Sequence, residues 1–190
     1  MSVKANATKL ACLTLVTIAF IAAISVATAQ TAPRSDFPQR QQGMKAMADA
    51  AKTINAMFKD TLPYDAKRFK AAAETIRTHS GTALSALFDG PVTSTESKAS
   101  ASIEPERQQF DKLANDLSIY ASALSLAADR NPDTLGMGTR MQAGDAMGGG
   151  PLARKVDAAR DAGSMPAEHA FHLMLQTCTS CHAKFRLTAE

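Results

Sequence analysis

The chain has 190 residues and a formal net charge of +3, from 21 basic and 18 acidic side chains. This balance excludes the strong basic field that binding to nucleic acid or to an anionic membrane surface requires. Tryptophan is absent and aromatic residues make up 5% of the chain, whereas Ala, Leu and Met are abundant, so the composition favours helix over strand.

The first 29 residues have the pattern of a cleaved export signal. Lys4 and Lys9 flank the start of an almost wholly apolar run at 10–26, and Ala27-Thr28-Ala29 supplies the small residues that a signal peptidase requires. An uncleaved membrane anchor is the alternative, because the run is nearly long enough to span a bilayer. The polar, proline-containing segment that follows favours cleavage. We therefore expect a periplasmic protein, residues 30–190, with one domain and no membrane insertion.

Apolar residues at helical spacing predict four amphipathic helices in the mature chain. Their expected bounds are Asp36 to Phe58, Asp65 to about Phe88, Glu104 to Asn131, and Pro166 to the region of Phe185. No stretch alternates apolar and polar residues as a strand does. Because the first two connections are short, neighbouring helices should pack antiparallel, so the expected fold is all-α: an up-down-up-down antiparallel four-helix bundle. The second helix is expected to bury Phe69, Ala73, Ile76, Ala83 and Leu87.

Residues 131–150 have the composition of a flexible loop, with six glycines and three methionines. A short helix is expected within residues 151–162. Soft metals accept thioether donors such as Met137, Met141 and Met147. A mobile loop without a fixed set of ligands is the preferred interpretation, and the role of the segment stays unassigned.

The strongest motif is Cys178-Thr179-Ser180-Cys181-His182. Two thiols three residues apart lie on one side of a helix, where they suit thioether bonds to the two vinyl groups of a porphyrin. The imidazole that follows directly can turn under the ring toward the iron, so the pattern is typical of c-type haem attachment. Both cysteines also continue the apolar stripe of the last helix, so burial of the macrocycle would add to the core.

Two other uses of the cysteine pair fit less well. A thioredoxin-like redox pair belongs beside a βαβ pattern that the chain lacks, and a zinc site requires further ligands. Cys12 lies in the export signal and should be removed with it. Cys178 and Cys181 are then the cysteines of the mature chain, and no other cysteine remains for a disulfide framework. We therefore predict one covalently bound haem c, attached through Cys178 and Cys181, with His182 as an axial ligand of the iron.

The chain resembles the cytochrome c′ family and its low-spin relatives, in which the haem motif sits at the C-terminal end of a four-helix bundle. Three segments carry the resemblance: Arg40-Gln41-Gln42-Gly43-Met44-Lys45-Ala46-Met47 in the first helix, Pro63-Tyr64-Asp65 before the second, and Cys178 to Arg186, which follows the family pattern C-x-x-C-H-x-x-[aromatic]-[basic]. The stretch at 131–165 is longer than the family's third connection.

The resemblance implies that Arg40, Met44 and Arg186 belong to the haem pocket. Met44 would face the distal side of the haem in one of two roles. In low-spin members this residue is the second axial iron ligand, which is the preferred interpretation. In cytochrome c′ itself it blocks a vacant site. Arg186 would lie near the proximal imidazole and raise the reduction potential. The alternative is a solvated cation that interacts with the dipole at the C-terminal end of the helix.

The remaining histidines are poor candidates for the iron. His169 and His172 precede His182 by 13 and 10 residues on one helix, which places them roughly 20 and 15 Å away along its axis. His79 belongs to the second helix, where only an accident of packing would bring it to the haem.

These features predict electron transfer in the periplasm, with one haem iron cycling between its ferrous and ferric states against redox partner proteins. The alternative is a five-coordinate cytochrome c′ that binds nitric oxide or carbon monoxide. An enzyme is not expected, because no distal acid–base residue can be identified. The resemblance also implies a homodimer through the first two helices.

Overall fold

The computed structural model describes residues 36–90, 96–142 and 157–187. These residues form six α-helices: α1 (Phe37–Phe58), α2 (Ala66–Thr78), α3 (Gly81–Ala86), α4 (Arg107–Arg130), α5 (Ala158–Asp161) and α6 (Ala167–Phe185). Short 3₁₀ turns lie at Ala101–Ile103 and Met137–Thr139. Within the described ranges there is no strand, and none of the helices combines the length and hydrophobicity that a membrane crossing needs. The expected signal at 1–29 lies outside the described residues.

The long helices α1, α2, α4 and α6 form a four-helix bundle, in which α2 packs against both α1 and α4, and α4 packs against α6. Each helix contributes a side chain with no exposed surface, namely Ile54, Phe69, Leu124 and Met174. Burial of a side chain of this size stabilises the folded state by about 1.5–3 kcal/mol. The predicted all-α four-helix bundle is confirmed.

Local signals set most of the helix boundaries. The Asp65 side chain accepts a hydrogen bond of 2.7 Å from the backbone N–H of Arg68 and so caps α2 at the boundary expected from the sequence. Pro38 occupies the first turn of α1, where a missing N–H costs nothing. Helix α4 begins at Arg107, a few residues later than expected, because residues 104–106 form a turn that follows the separate 3₁₀ turn Ala101–Ile103.

The predicted second helix is interrupted, so its expected burial pattern is wrong beyond residue 78. Gly81 has a φ of +60°, a left-handed conformation that glycine adopts without steric cost. A Cβ built there would also lie 3.2 Å from the Ser118 Cβ of α4. The break shifts the helical phase, so Leu84 is buried, whereas Ala83 is exposed and Leu87 is half-buried.

The segment after α4 packs against the bundle in its described part, residues 131–142. Leu135 and Thr139 are buried, which differs from the fully solvated loop expected from composition. Arg140 donates a hydrogen bond from Nη1 to the carbonyl oxygen of Phe58 and pairs with Asp60 at 3.0 Å. Residues 143–150 lie outside the described residues. Of the short helix expected within 151–162, the described part shows one turn, Ala158–Asp161.

Candidate haem site

The two thiols lie one turn apart near the C-terminal end of α6. Cys178 packs against the main core of the bundle, whereas Cys181 packs against a second apolar cluster that includes Phe110 and Phe185. Both side chains are half-buried, and His182 directly after them is exposed. The helix therefore presents both cysteines at the junction of two apolar regions.

Two cavities meet at this junction. The first has a volume of about 390 Å³, and both cysteines line it together with apolar side chains of all four long helices, among them Met47, Ile76, Leu117 and Met174. The second has a volume of about 620 Å³ and reaches the bundle end, where Arg40, Phe88, Phe110, Phe185 and Arg186 line it. Four residues line both cavities: Met44, Ala48, Cys181 and His182. Such dimensions are typical of sites that bury a large apolar ligand.

Arg40 provides a direct test of whether these residues suit a haem. The side chain is 9% exposed, and its guanidinium carbon lies 4.8 Å from the centroid of the Phe88 ring. Its Nε and Nη1 atoms are buried without a hydrogen-bond partner, an arrangement that costs free energy unless an acceptor is supplied. A haem propionate is such an acceptor, since guanidinium and carboxylate form strong charge-assisted hydrogen bonds. The donor set and the apolar walls therefore fit the group.

Desolvation shifts the pKa of each of the three side chains of the motif. It raises the pKa of the Cys178 thiol. For Cys181, burial and then the neighbouring Cys178 raise the pKa to about 11. Partial desolvation, followed by the positive charge of Arg186, lowers the pKa of His182. Both effects favour the neutral imidazole, which is the form that binds a metal.

A short backbone connection holds the end of α6 that carries these residues. Ala99 and Arg186 form an isolated antiparallel bridge. The N–H of Ser100 donates to the carbonyl of Phe185 at 2.9 Å, and that of Leu187 donates to the carbonyl of Lys98 at 2.8 Å. Residues 96–99 also line the second cavity. Sequence reasoning missed this wall because its Ser-rich, aperiodic composition indicates a loop and carries no signal for pairing with residues so distant in the chain.

The predicted pocket residues come together, and the other histidines stay apart. Arg40, Met44 and Arg186 line the second cavity with Cys181 and His182. By contrast, His79, His169 and His172 line neither cavity. His79 instead packs over α1 at Gly43, where an added Cβ would lie 3.3 Å from its Nδ1. Phe88 is a pocket residue that the sequence analysis took as a helix end, although an aromatic side chain just before Gly90-Pro91 was a usable signal.

Two comparisons with known proteins are consistent: a family model identifies the family, and solved structures show the same fold. The cytochrome c′ family model matches residues 37–147, more than half of the chain. No curated protein matches. Among solved structures, cytochrome c′ from Thermochromatium tepidum is 23% identical and superposes with a TM-score of 0.57 over 83% of this chain and 98% of that one.

Two further solved structures are similar to this chain. One is described as a cytochrome c′ with ligand-controlled dimer dissociation; it is 19% identical, with a TM-score of 0.57 over 83% of this chain and 98% of that one. The other is the nitric oxide complex of a mutant of cytochrome c′ from Alcaligenes xylosoxidans, 22% identical, with a TM-score of 0.56 over 81% and 94%. At these identities the structures show the shared fold. With the family match, they identify the chain as a member of the cytochrome c′ family, a monohaem c-type cytochrome that binds haem c and its iron.

Proposed function

We propose that this protein is an exported, periplasmic electron carrier, with residues 1–29 removed as the signal. Its single haem c is attached through Cys178 and Cys181, and the iron is ligated by His182 and Met44. When bound, the haem supplies a one-electron couple at the iron. The chain holds the group, excludes water from it and sets its potential.

The observation that carries this proposal is the position of Met44. It lies on α1, across the bundle from α6, and it lines both cavities together with Cys181 and His182. Met47 and Met174 line the first cavity but not the second, and no histidine other than His182 lines either one among the described residues. Among the described residues, Met44 is therefore the side chain best suited to supply a second ligand beside His182.

The surroundings favour the ferrous state. Thioether ligation raises the potential of a c-type haem. The apolar walls disfavour the extra positive charge of ferric iron. Arg40 and Arg186, which line the second cavity, add two cations that act in the same direction. We therefore expect a higher potential than in a variant that lacks Met44 or either arginine.

One feature favours the alternative function, binding of nitric oxide or carbon monoxide. The first cavity extends past Met44 along α1, where its lining includes the small side chains of Ala48 and Ala51. This apolar space suits a diatomic gas if Met44 crowds the iron without ligating it.

The spectrum of the reduced protein separates the two functions. We expect a six-coordinate, low-spin ferrous form, to which carbon monoxide binds slowly because it must displace the thioether. Met44→Leu preserves the volume of the side chain but cannot ligate, so it should give a high-spin ferrous form, faster carbon monoxide binding and a lower potential. Met47→Leu is the matched control, one turn away in the same cavity, and should stay low-spin.

A high-spin wild-type protein that binds carbon monoxide directly would overturn ligation by Met44 and place the protein in the gas-binding class. Met44→Leu would then leave the spin state unchanged.

A further inference from the structure

A second group of donor side chains lies at the opposite end of α6 from the haem motif. The Nδ1 atom of His172 is 3.2 Å from the Sδ atom of Met141. His169 precedes His172 by three residues, and its Nε2 atom is buried without a hydrogen-bond partner. Residues at i and i+3 of a helix have Cβ atoms about 5–6 Å apart. His169 and His172 therefore leave adjacent positions on one side of α6, and Met141 contacts the second of them.

Polar contacts hold Met141, which lies in the segment after α4, against α6. Its backbone N–H donates to Glu168 Oε2 at 2.9 Å, and Arg140 Nη1 lies 3.8 Å from the other oxygen of that carboxylate. Arg140 is tied in turn to the end of α1 through the Phe58 carbonyl and Asp60. The thioether is therefore held beside α6 before any ligand arrives, which reduces the ordering cost of binding.

The chemistry of the donors selects the metal. Thioether sulfur and imidazole nitrogen together suit cuprous copper, whereas zinc and harder cations prefer thiolate, imidazole or carboxylate ligands. In the described part of the chain no group of three or more His, Cys, Asp or Glu side chains is placed to hold a metal ion. With bonds of about 2.0 Å to nitrogen and 2.3 Å to sulfur, two ligands of one tetrahedral or trigonal ion lie roughly 3.5–3.7 Å apart. The observed 3.2 Å needs only a small opening.

We propose that His172, Met141 and His169 form a binding site for a single Cu(I) ion. The site is separate from the haem, because ten residues of helix between His172 and His182 correspond to roughly 15 Å. It is also independent of the role of Met44. The methionine-containing segment after α4 thereby gains a function that its composition alone did not assign.

The test uses the haem-loaded, reduced protein. It is dialysed without oxygen against Cu(I) buffered by bicinchoninate and ascorbate, and copper and iron are then measured by elemental analysis. We expect one copper per iron in the wild type. Met141→Leu, His172→Gln and His169→Gln should each bind copper at least ~10–100-fold more weakly, the loss typical of disturbing a metal's ligand shell. Zn(II) presented at equal free concentration should not be retained.

Met137→Leu is the matched control, because Met137 is a thioether of the same segment that is 79% exposed; it should bind copper like the wild type. Equal melting temperatures and an unchanged haem spectrum verify that each variant is folded. No retained copper in the wild type would mean that His172 and Met141 form only a weak hydrogen bond, and the proposal fails. It also fails if any of the three ligand variants binds like the wild type, if Met137→Leu binds as weakly as they do, or if zinc is retained equally.

Discussion

Both ends of the bundle contain a cluster of packed aromatic rings, but the two clusters differ in the space beside them. At one end Phe58 packs against Phe69 and Phe171, each with ring centroids 5.5 Å away, and Tyr64 lies 5.7 Å from Phe69. At the haem end the ring centroids of Phe88 and Phe110 lie 4.9 Å apart and those of Phe110 and Phe185 lie 5.4 Å apart, and all three side chains line a cavity of about 620 Å³. We refer to these regions as the aromatic end and the haem end.

Polar groups follow the same division. At the aromatic end the Tyr64 hydroxyl donates to the carbonyl of Asn131 at 2.7 Å, and Arg140 donates to the carbonyl of Phe58. At the haem end two nitrogens of Arg40 are buried without a partner. The haem end thus combines a large cavity with two unpaired guanidinium nitrogens, and a cofactor can complete both the packing and the hydrogen bonding there. Departures from local rules at a functional site are expected when the rest of the fold compensates for them.

The largest expected effect follows from removing both attachment thiols. Cys178→Ser with Cys181→Ser should leave no haem on the protein after acid–acetone extraction, because no thioether bond can form. The aromatic end contains no part of the motif, so the far-ultraviolet circular dichroism should remain helical. Ser180→Ala, inside the same motif, is the control and should retain the haem. Stable retention of haem by the double variant would show that attachment is not through these cysteines.

The next effect tests where stability resides. Phe69 is fully buried in the aromatic cluster, so Phe69→Ala should reduce the free energy of unfolding by about 3–5 kcal/mol. Phe88→Ala is the matching substitution at the haem end. In the haem-free double cysteine variant it should reduce the free energy of unfolding less than Phe69→Ala does, because Phe88 already borders a cavity. Denaturant titration measures both, and equal losses would contradict the division of the bundle into two ends.

The smallest predicted effect is on the free energy of unfolding, and it should have opposite signs in the haem-free and the haem-loaded protein. In the haem-free protein Arg40→Met removes a buried guanidinium with two unpaired nitrogens, so it should raise the free energy of unfolding by about 1–3 kcal/mol. In the haem-loaded protein the same substitution removes the partner of a propionate, and both stability and potential should fall. Arg186→Met provides the control, since Arg186 is exposed and its loss should hardly change the haem-free protein. Destabilisation by Arg40→Met in both forms would show that Arg40 serves the fold and not the cofactor.

Local chemistry made much of this structure predictable from the chain. The spacing of apolar residues gave the four long helices, and Asp65 marked the start of α2 because its carboxylate can cap a free N–H. Gly81 was the local signal that was misread. Its neighbours continue a helical pattern, so only its φ of +60° and its close approach to Ser118 on α4 show why the helix breaks there.

The sequence by itself predicted the attachment chemistry, since two thiols and an imidazole within five consecutive residues need no tertiary contact to be recognised. It also determined the fold class, because amphipathic periodicity is local. Tertiary structure alone decided that Met44 lies where two cavities meet, that Lys98 and Ser100 hold the end of α6 through backbone hydrogen bonds, and that Met141 contacts His172. Each of these contacts joins residues far apart in the chain, and their formation depends on how whole helices pack, which no local pattern encodes.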